Sequence, residues 1–115
     1  MNRQRGKIGE DAAAHYLEQN GYELVERNYR SVAGEIDIIA RKGEKVVFVE
    51  VKARSSSRFG SPGEAVDARK QQRIRQAALC FLSEAGMGER YPLGFDVVEV
   101  YLTQPIAVRH IKNAF

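Results

Sequence analysis

Cysteine and histidine are scarce in this sequence of 115 residues. Cys80 is its one cysteine, so the chain cannot form an internal disulfide. The two histidines, His15 and His110, lie far apart, and no Cys/His cluster with zinc-ligand spacing is present. These absences exclude a disulfide scaffold and a zinc finger.

Long apolar runs are also missing. The basic segment from Met1 to Lys7 is not followed by the apolar stretch of a signal peptide, and no run reaches membrane-spanning length. We therefore expect a cytoplasmic protein with no membrane association. A length of 115 residues fits one domain, and a formal charge of +3 favours a polyanionic partner.

The valine-rich stretch Val46–Ala53 predicts a buried strand that ends in charge. Because side chains alternate across a strand, Val47, Val49, Val51 and Ala53 share one face, and Val46, Phe48, Glu50 and Lys52 share the other. Glu50 and Lys52 thus continue an apolar row, where an unpaired charge would cost several kcal/mol. A strand that simply emerges into water at this end is the alternative explanation.

A second strand is predicted over Gly34–Ala40, and the intervening Arg41–Lys45 has the composition of a turn. In the predicted hairpin, Ile36, Ile38 and Ala40 face one way, whereas Asp37 interrupts the other face as Glu50 does. Adjacent strands could place these carboxylates side by side. Because Mg²⁺ binds one or two carboxylates plus water, the pattern indicates a divalent-metal site beside a lysine.

The spacing of apolar residues predicts a helix over residues 6–20, which stops at Gly21. Of its acids, Glu10 flanks the apolar stripe and is best placed to approach the sheet edge. An ordinary first-turn acid at the helix dipole is the alternative for Glu10. Residues 22–30 then predict a strand, with Arg27 and Arg30 expected to be solvated.

A serine-rich, basic loop follows the Glu-x-Lys pair, and residues 66–85 predict a second helix. Ser61 and Asp67 are rival N-caps for it. Lys70 falls close to the centre of the apolar stripe, where it would either extend outward to water or point over the sheet edge. Residues 91–102 and 106–111 predict two further strands.

Several motifs follow one another along nearly the whole chain: Gly9-Glu10, Gly34-Glu35-Ile36-Asp37, Val49-Glu50-Val51-Lys52, Phe59-Gly60-Ser61-Pro62-Gly63-Glu64-Ala65-Val66, Lys70 and Phe95-Asp96-Val97-Val98. With these motifs the sequence resembles the YraN-like family of small uncharacterised bacterial proteins. That family in turn resembles archaeal Holliday junction resolvases and the PD-(D/E)XK nuclease superfamily. Gly94 departs from the pattern, because an arginine is expected before Phe-Asp.

The resemblance implies a single PD-(D/E)XK nuclease-like domain over residues 1–115. Its fold would be α/β, with a mixed central sheet flanked by helices in a restriction-endonuclease-like, three-layer α/β/α arrangement. Its activity would be metal-dependent hydrolysis of DNA phosphodiesters, structure-selective as in resolvases. The alternatives are a catalytically silent nucleic-acid-binding module of the same fold and a protein-interaction subunit whose acids only structure the sheet.

The resemblance also implies the site residues. Asp37, Glu50 and the Val51 carbonyl would hold Mg²⁺, or Mn²⁺ as a substitute, and Lys52 and Glu10 would complete the catalytic set. The groups expected to contact nucleic acid are basic: Arg54, Arg58, Arg69, Lys70 and Arg73. DNA is expected in preference to RNA. The residues leave the oligomeric state open, whereas the likeness to resolvases implies a two-fold homodimer.

Overall fold

A computed structural model of the chain describes residues 3–55, 66–87 and 90–115. The helices and strands in these ranges are, in chain order, α1 Arg3–Gln19, β1 Glu23–Arg30, β2 Glu35–Lys42, β3 Lys45–Arg54, α2 Ala68–Glu84, β4 Leu93–Tyr101 and β5 Ala107–Ile111. The strands form one sheet in the order β1-β2-β3-β4-β5. Among the described residues no helix has the length and apolarity needed to cross a membrane.

The sheet is mixed, because one of its four pairings is parallel. β3 and β4 run parallel, and the connection between them carries α2. The other three neighbouring pairs are antiparallel. β3 therefore occupies the centre of the sheet, between an antiparallel and a parallel partner.

Each face of the sheet is covered by one helix. On the first face, Ala13, Ala14 and Leu17 of α1 pack against strand residues such as Val47 and Val49. On the second, α2 buries the residues predicted from its periodicity: Ile74, Ala77, Ala78, Phe81 and Leu82. This confirms the three-layer α/β/α architecture expected of a restriction-endonuclease-like fold.

The β2–β3 hairpin follows the predicted alternation along β3 but departs from it in β2. Val46 and Phe48 share one face, as expected, and that face packs on the α2 side. Ile36 was expected on the same face as Ile38, yet it joins the α2-side cluster, so this expectation was wrong. The described ladder pairs end at Ile38 and Val49. Beyond them the β3 backbone no longer holds β2 in a regular pleat.

The observed helix ends identify the residues that stop α1 and start α2. α1 begins at Arg3, earlier than predicted, and stops before Gly21, whose φ of 87° is the left-handed conformation that glycine adopts readily. α2 begins after Asp67, whose side chain accepts a hydrogen bond from the Lys70 N–H at 2.8 Å. Asp67 is thus the N-cap, while Ser61 lies outside the described residues.

Candidate metal centre

Asp37 and Glu50 meet where the β2–β3 hairpin opens. The described ladder pairs end at Ile38 and Val49, and the next residues along the two strands are Asp37 and Glu50. The Asp37 and Glu50 side chains are close enough to form a hydrogen bond with each other. The Oδ2 atom of Asp37 accepts a hydrogen bond from the Val51 N–H at 2.8 Å. At this point the central strand β3 donates its Val51 N–H to a side-chain carboxylate of β2 rather than to a backbone carbonyl. The two interruptions of the apolar pattern therefore lie side by side.

The electrostatics of the pair are unfavourable without a cation. Burial, the negative charge of Glu50 and a hydrogen bond with Glu50 together raise the pKa of Asp37 from 3.8 to about 7, against the opposing effect of the Val51 N–H. Glu50 itself is 6% exposed. Two carboxyl groups this close and this buried form a pair that a positive charge would stabilise.

Lys52 and Lys70 place positive charge next to Glu50. The Nζ atom of Lys52 lies 3.7 Å from Glu50 Oε2, and Lys70 forms an ion pair with the same oxygen. Burial, together with the nearby Lys70 ammonium, lowers the pKa of Lys52. Burial acts in the same direction on Lys70, but its hydrogen bond and ion pair with Glu50 outweigh burial and raise the pKa of Lys70.

Lys70 reaches Glu50 because it lies in the first turn of α2. The Asp67 cap fixes the first turn of the helix, and Lys70 is the residue whose N–H the cap accepts. A lysine in a first turn opposes the helix dipole, so the ion pair with Glu50 offsets an unfavourable position. Of the two predicted orientations, the structure has the one over the sheet edge.

Glu10 approaches the centre from α1. Gly9 makes this approach close, since a Cβ atom built there would lie 2.9 Å from the Ala53 Cβ. α1 begins at Arg3, so Glu10 is not a first-turn acid and that alternative was wrong. Its charge adds to the repulsion that raises the pKa of Asp37. The α1 helix thus brings a third acid to the neighbourhood of the pair.

Arg27 and Asn28 hold Glu10, and the sequence reasoning missed both. Arg27 was expected to be solvated, but its Nε donates to Glu10 Oε1 at 2.9 Å and its Nη2 to Asp11 Oδ1 at 2.5 Å. Asn28 Nδ2 donates to the same Glu10 oxygen at 3.0 Å. The identity of Asn28 was the available signal, because asparagine is depleted in strands and tolerates positive φ.

Two cavities meet at the carboxylate pair. One, of about 380 Å³, lies between Glu10 and Asp37 and includes Arg27. The other, of about 440 Å³, lies between Glu50 and Lys70 and shares Asp37 and Val51 with the first. The acids therefore face open space, with basic side chains at both ends.

The arginines predicted to bind nucleic acid have different surroundings. Arg54 Nη2 lies 3.0 Å from Glu99 Oε2, so it is paired with a fully buried carboxylate while still lining the second cavity. Arg69 and Arg73 are exposed on α2, and Arg58 lies outside the described residues. Contact of these arginines with nucleic acid stays a prediction.

The departure at Gly94 lies away from the carboxylate pair. In the parallel register Gly94 is opposite Val47, towards the start of β3, whereas Glu50 is opposite Val97. A Cβ atom at position 94 would lie 2.8 Å from Lys45 Cε, so a lysine from the neighbouring strand fills this space.

The donor atoms fit Mg²⁺ or Mn²⁺. Within residues 3–55, 66–87 and 90–115, no three His, Cys, Asp or Glu side chains are gathered closely enough to form a metal cluster by themselves. Asp37 and Glu50 provide two carboxylates, and the Val51 backbone lies beside them. Because Mg²⁺ is commonly held by one or two carboxylates and keeps several waters, an all-oxygen pair of this kind matches its preference for donor atoms.

Comparison with known proteins identifies relatives that span the whole chain. The model of the uncharacterised protein family UPF0102 matches residues 9–100. A UPF0102 protein of Moorella thermoacetica is 49% identical over 116 residues, covering 98% of this chain and 96% of its own length. One from Alkaliphilus oremlandii is 47% identical with complete coverage of both chains, and one from Clostridioides difficile is 41% identical with 99% and 98% coverage. The chain therefore belongs to the UPF0102, or YraN-like, family.

Proposed function

We propose that this protein is a metal-dependent nuclease that hydrolyses phosphodiester bonds of DNA, with Mg²⁺ as cofactor and Mn²⁺ as a substitute. One observation carries the proposal: Asp37 and Glu50 are set against each other at the opening of the hairpin, with two lysines on Glu50. This combination of paired acids and adjacent ammonium groups suits a reaction in which a phosphate gains negative charge.

In this proposal Asp37, Glu50 and the Val51 carbonyl hold the cation. The chemistry that the cation supplies is Lewis-acid activation of water and neutralisation of charge on the phosphate. Glu10 orients water in the outer shell, from its position across the first cavity. Asp37 and Glu50 thus bind the cation directly, whereas Glu10 acts through water.

Lys52 and Lys70 have different tasks in the same proposal. Lys70 forms an ion pair with Glu50 and orients that carboxylate. Lys52 lies farther from Glu50 Oε2, at 3.7 Å, and is 29% exposed, so its ammonium can turn towards substrate. We assign to Lys52 the orientation of the attacking water or the stabilisation of charge that develops on the phosphate.

DNA binding in this proposal depends on basic groups around the cavities. Exposed Arg69 and Arg73 extend the positive charge from Lys70 along α2. Arg54 and Arg58 would contact phosphates, and a two-fold homodimer would present two such surfaces to a symmetric, branched substrate. Phosphate contacts of this kind make affinity fall steeply with salt, since bound counterions are released.

The test is incubation of the protein with branched, duplex and single-stranded DNA and with RNA, in Mg²⁺ and in Mn²⁺. Asp37→Asn and Glu50→Gln should abolish cleavage. Glu18→Gln is the matched control, because Glu18 is an exposed acid on α1. Salt-sensitive binding without cleavage of any substrate would replace the nuclease with the silent binding module. Neither binding nor cleavage would favour the protein-interaction subunit.

A further inference from the structure

The two oxygens of the Glu10 carboxylate have different surroundings. Oε1 accepts hydrogen bonds from Arg27 Nε at 2.9 Å and from Asn28 Nδ2 at 3.0 Å. The Nη2 atom of Arg27 also lies 2.9 Å from Oε1. In the part of the chain that the structure describes, no residue donates to Oε2. These donors converge on Oε1, and Oε2 has no donor among the described residues.

This convergence requires an unusual backbone. Consecutive residues of a regular strand point to opposite faces of a sheet, so Arg27 and Asn28 would not reach the same atom. Asn28 has a φ of 55°, in the left-handed region, although its neighbours Arg27 and Tyr29 pair normally with β2. Non-glycine residues are uncommon in that region, and asparagine is among those that tolerate it best. The local departure from strand geometry brings both donors to Glu10.

The held carboxylate lies next to the proposed metal ligands. Arg27 pairs with Ile38, the neighbour of Asp37 in β2. Glu10, Arg27, Asn28 and Asp37 line one cavity of about 380 Å³. The side chain of Glu10 is 15% exposed, so the carboxylate is largely enclosed and has few directions in which to turn.

Resting on the proposed function, we propose that Arg27 and Asn28 are positioning residues that fix Glu10 so that its Oε2 faces the centre. Oε2 then accepts a hydrogen bond from water bound to a divalent cation at Asp37 and Glu50. Groups of this kind, which orient ligands without touching the metal, typically change metal affinity by about 10–100-fold when removed. Neither residue touches substrate, and both act through Glu10.

The test measures Mn²⁺ affinity by electron paramagnetic resonance in four proteins: the wild type, Asn28→Gly, Glu10→Gln and the double variant. Glycine adopts a φ of 55° freely, so Asn28→Gly removes the amide donor while keeping the backbone. We expect Asn28→Gly to weaken Mn²⁺ binding about tenfold in the wild-type background. In the Glu10→Gln background the same change should have no effect on Mn²⁺ affinity, because Asn28 acts on the metal only through the Glu10 carboxylate, which this background lacks.

Two further variants separate positioning from folding. Asn113→Gly is the matched control, since Asn113 is another left-handed asparagine, with a φ of 51°, and it contacts Lys45 rather than Glu10. It should leave Mn²⁺ affinity unchanged. Arg27→Lys keeps the charge but loses the planar group that contacts Glu10 and Asp11, and it should also weaken binding.

The outcomes distinguish this inference from the proposed function. Unchanged Mn²⁺ affinity in Asn28→Gly, or an equal loss in the wild-type and Glu10→Gln backgrounds, would overturn the positioning role while leaving the metal centre in place. A wild-type protein that does not bind Mn²⁺ would overturn both.

Discussion

Replacing Asp37 by asparagine should stabilise the metal-free protein. The folded protein holds the pKa of Asp37 at about 7, against an ordinary value of 3.8. Between these values the folded state retains a proton that the unfolded chain has released, so raising the pH through this interval lowers the free energy of unfolding. Above pH 7 the whole difference applies. A rise from 3.8 to about 7 corresponds to about 4 kcal/mol.

An asparagine side chain at this position would keep the local hydrogen bonds without the charge. Its Oδ1 can still accept from the Val51 N–H, and its Nδ2 can donate to Glu50. We therefore expect Asp37→Asn to raise the free energy of unfolding by about 4 kcal/mol at pH 8 and by less than about 1 kcal/mol at pH 4. Urea denaturation in a chelator, followed across this pH range, measures the difference.

Metal should reverse the order of stability. A cation that binds the folded wild type at Asp37 and Glu50 raises the melting temperature of the protein as the cation concentration exceeds the dissociation constant, and Asp37→Asn should respond much less.

Asp11→Asn is the control for the effect of removing a charge alone. Hydrogen bonds from Arg27 and Lys7 hold the pKa of Asp11 below its usual value, so its loss should not stabilise the protein. If Asp37→Asn is no more stable than the wild type at pH 8 in a chelator, the reasoning from the raised pKa of Asp37 is refuted.

Three other changes follow from the geometry. Lys52→Ala should slow single-turnover cleavage by about 10²–10³-fold with little change in DNA affinity, and full retained cleavage would contradict its assigned role. Gly9→Ala places a Cβ atom 2.9 Å from Ala53 Cβ, so chemical denaturation should show a loss of about 1–3 kcal/mol; unchanged stability would mean that α1 is not held this closely. Arg69→Gln with Arg73→Gln should weaken DNA binding and flatten its salt dependence, while saturated single-turnover cleavage stays nearly intact; an unchanged salt slope would place the phosphate contacts elsewhere.

Much of the fold was predictable because burial imposes a period on the sequence. The run Val46–Phe48 alternates between two covered faces, and α2 has an apolar stripe at helical spacing. The same periodicity also revealed the charged residues that interrupt it. Asp37 and Glu50 each broke an apolar face of a predicted hairpin, and their side chains come within hydrogen-bonding reach just beyond the last described ladder pair. The carboxylate pair was therefore visible in the sequence, and metal binding by it stays a prediction.

The parts that escaped prediction depend on single backbone angles and long side chains. A regular alternation directs Arg27 into solvent, and nothing in that pattern reveals that Asn28 takes a positive φ. Ile36 changes face where the described ladder pairs end, a boundary that strand periodicity does not mark. For Lys70 the helical wheel gave a position near the apolar stripe, but a flexible side chain could follow that stripe or leave it.

The central claim is that Asp37 and Glu50 form a metal centre for phosphodiester hydrolysis. Its most direct test is single-turnover cleavage of end-labelled branched and duplex DNA by the wild type and by Glu50→Gln, side by side, in Mg²⁺ and in a chelator. We expect the wild type to cut only with Mg²⁺ and Glu50→Gln to lose cleavage by orders of magnitude while remaining folded. Equal cleavage by the two proteins, or cleavage that persists in the chelator, would contradict the account.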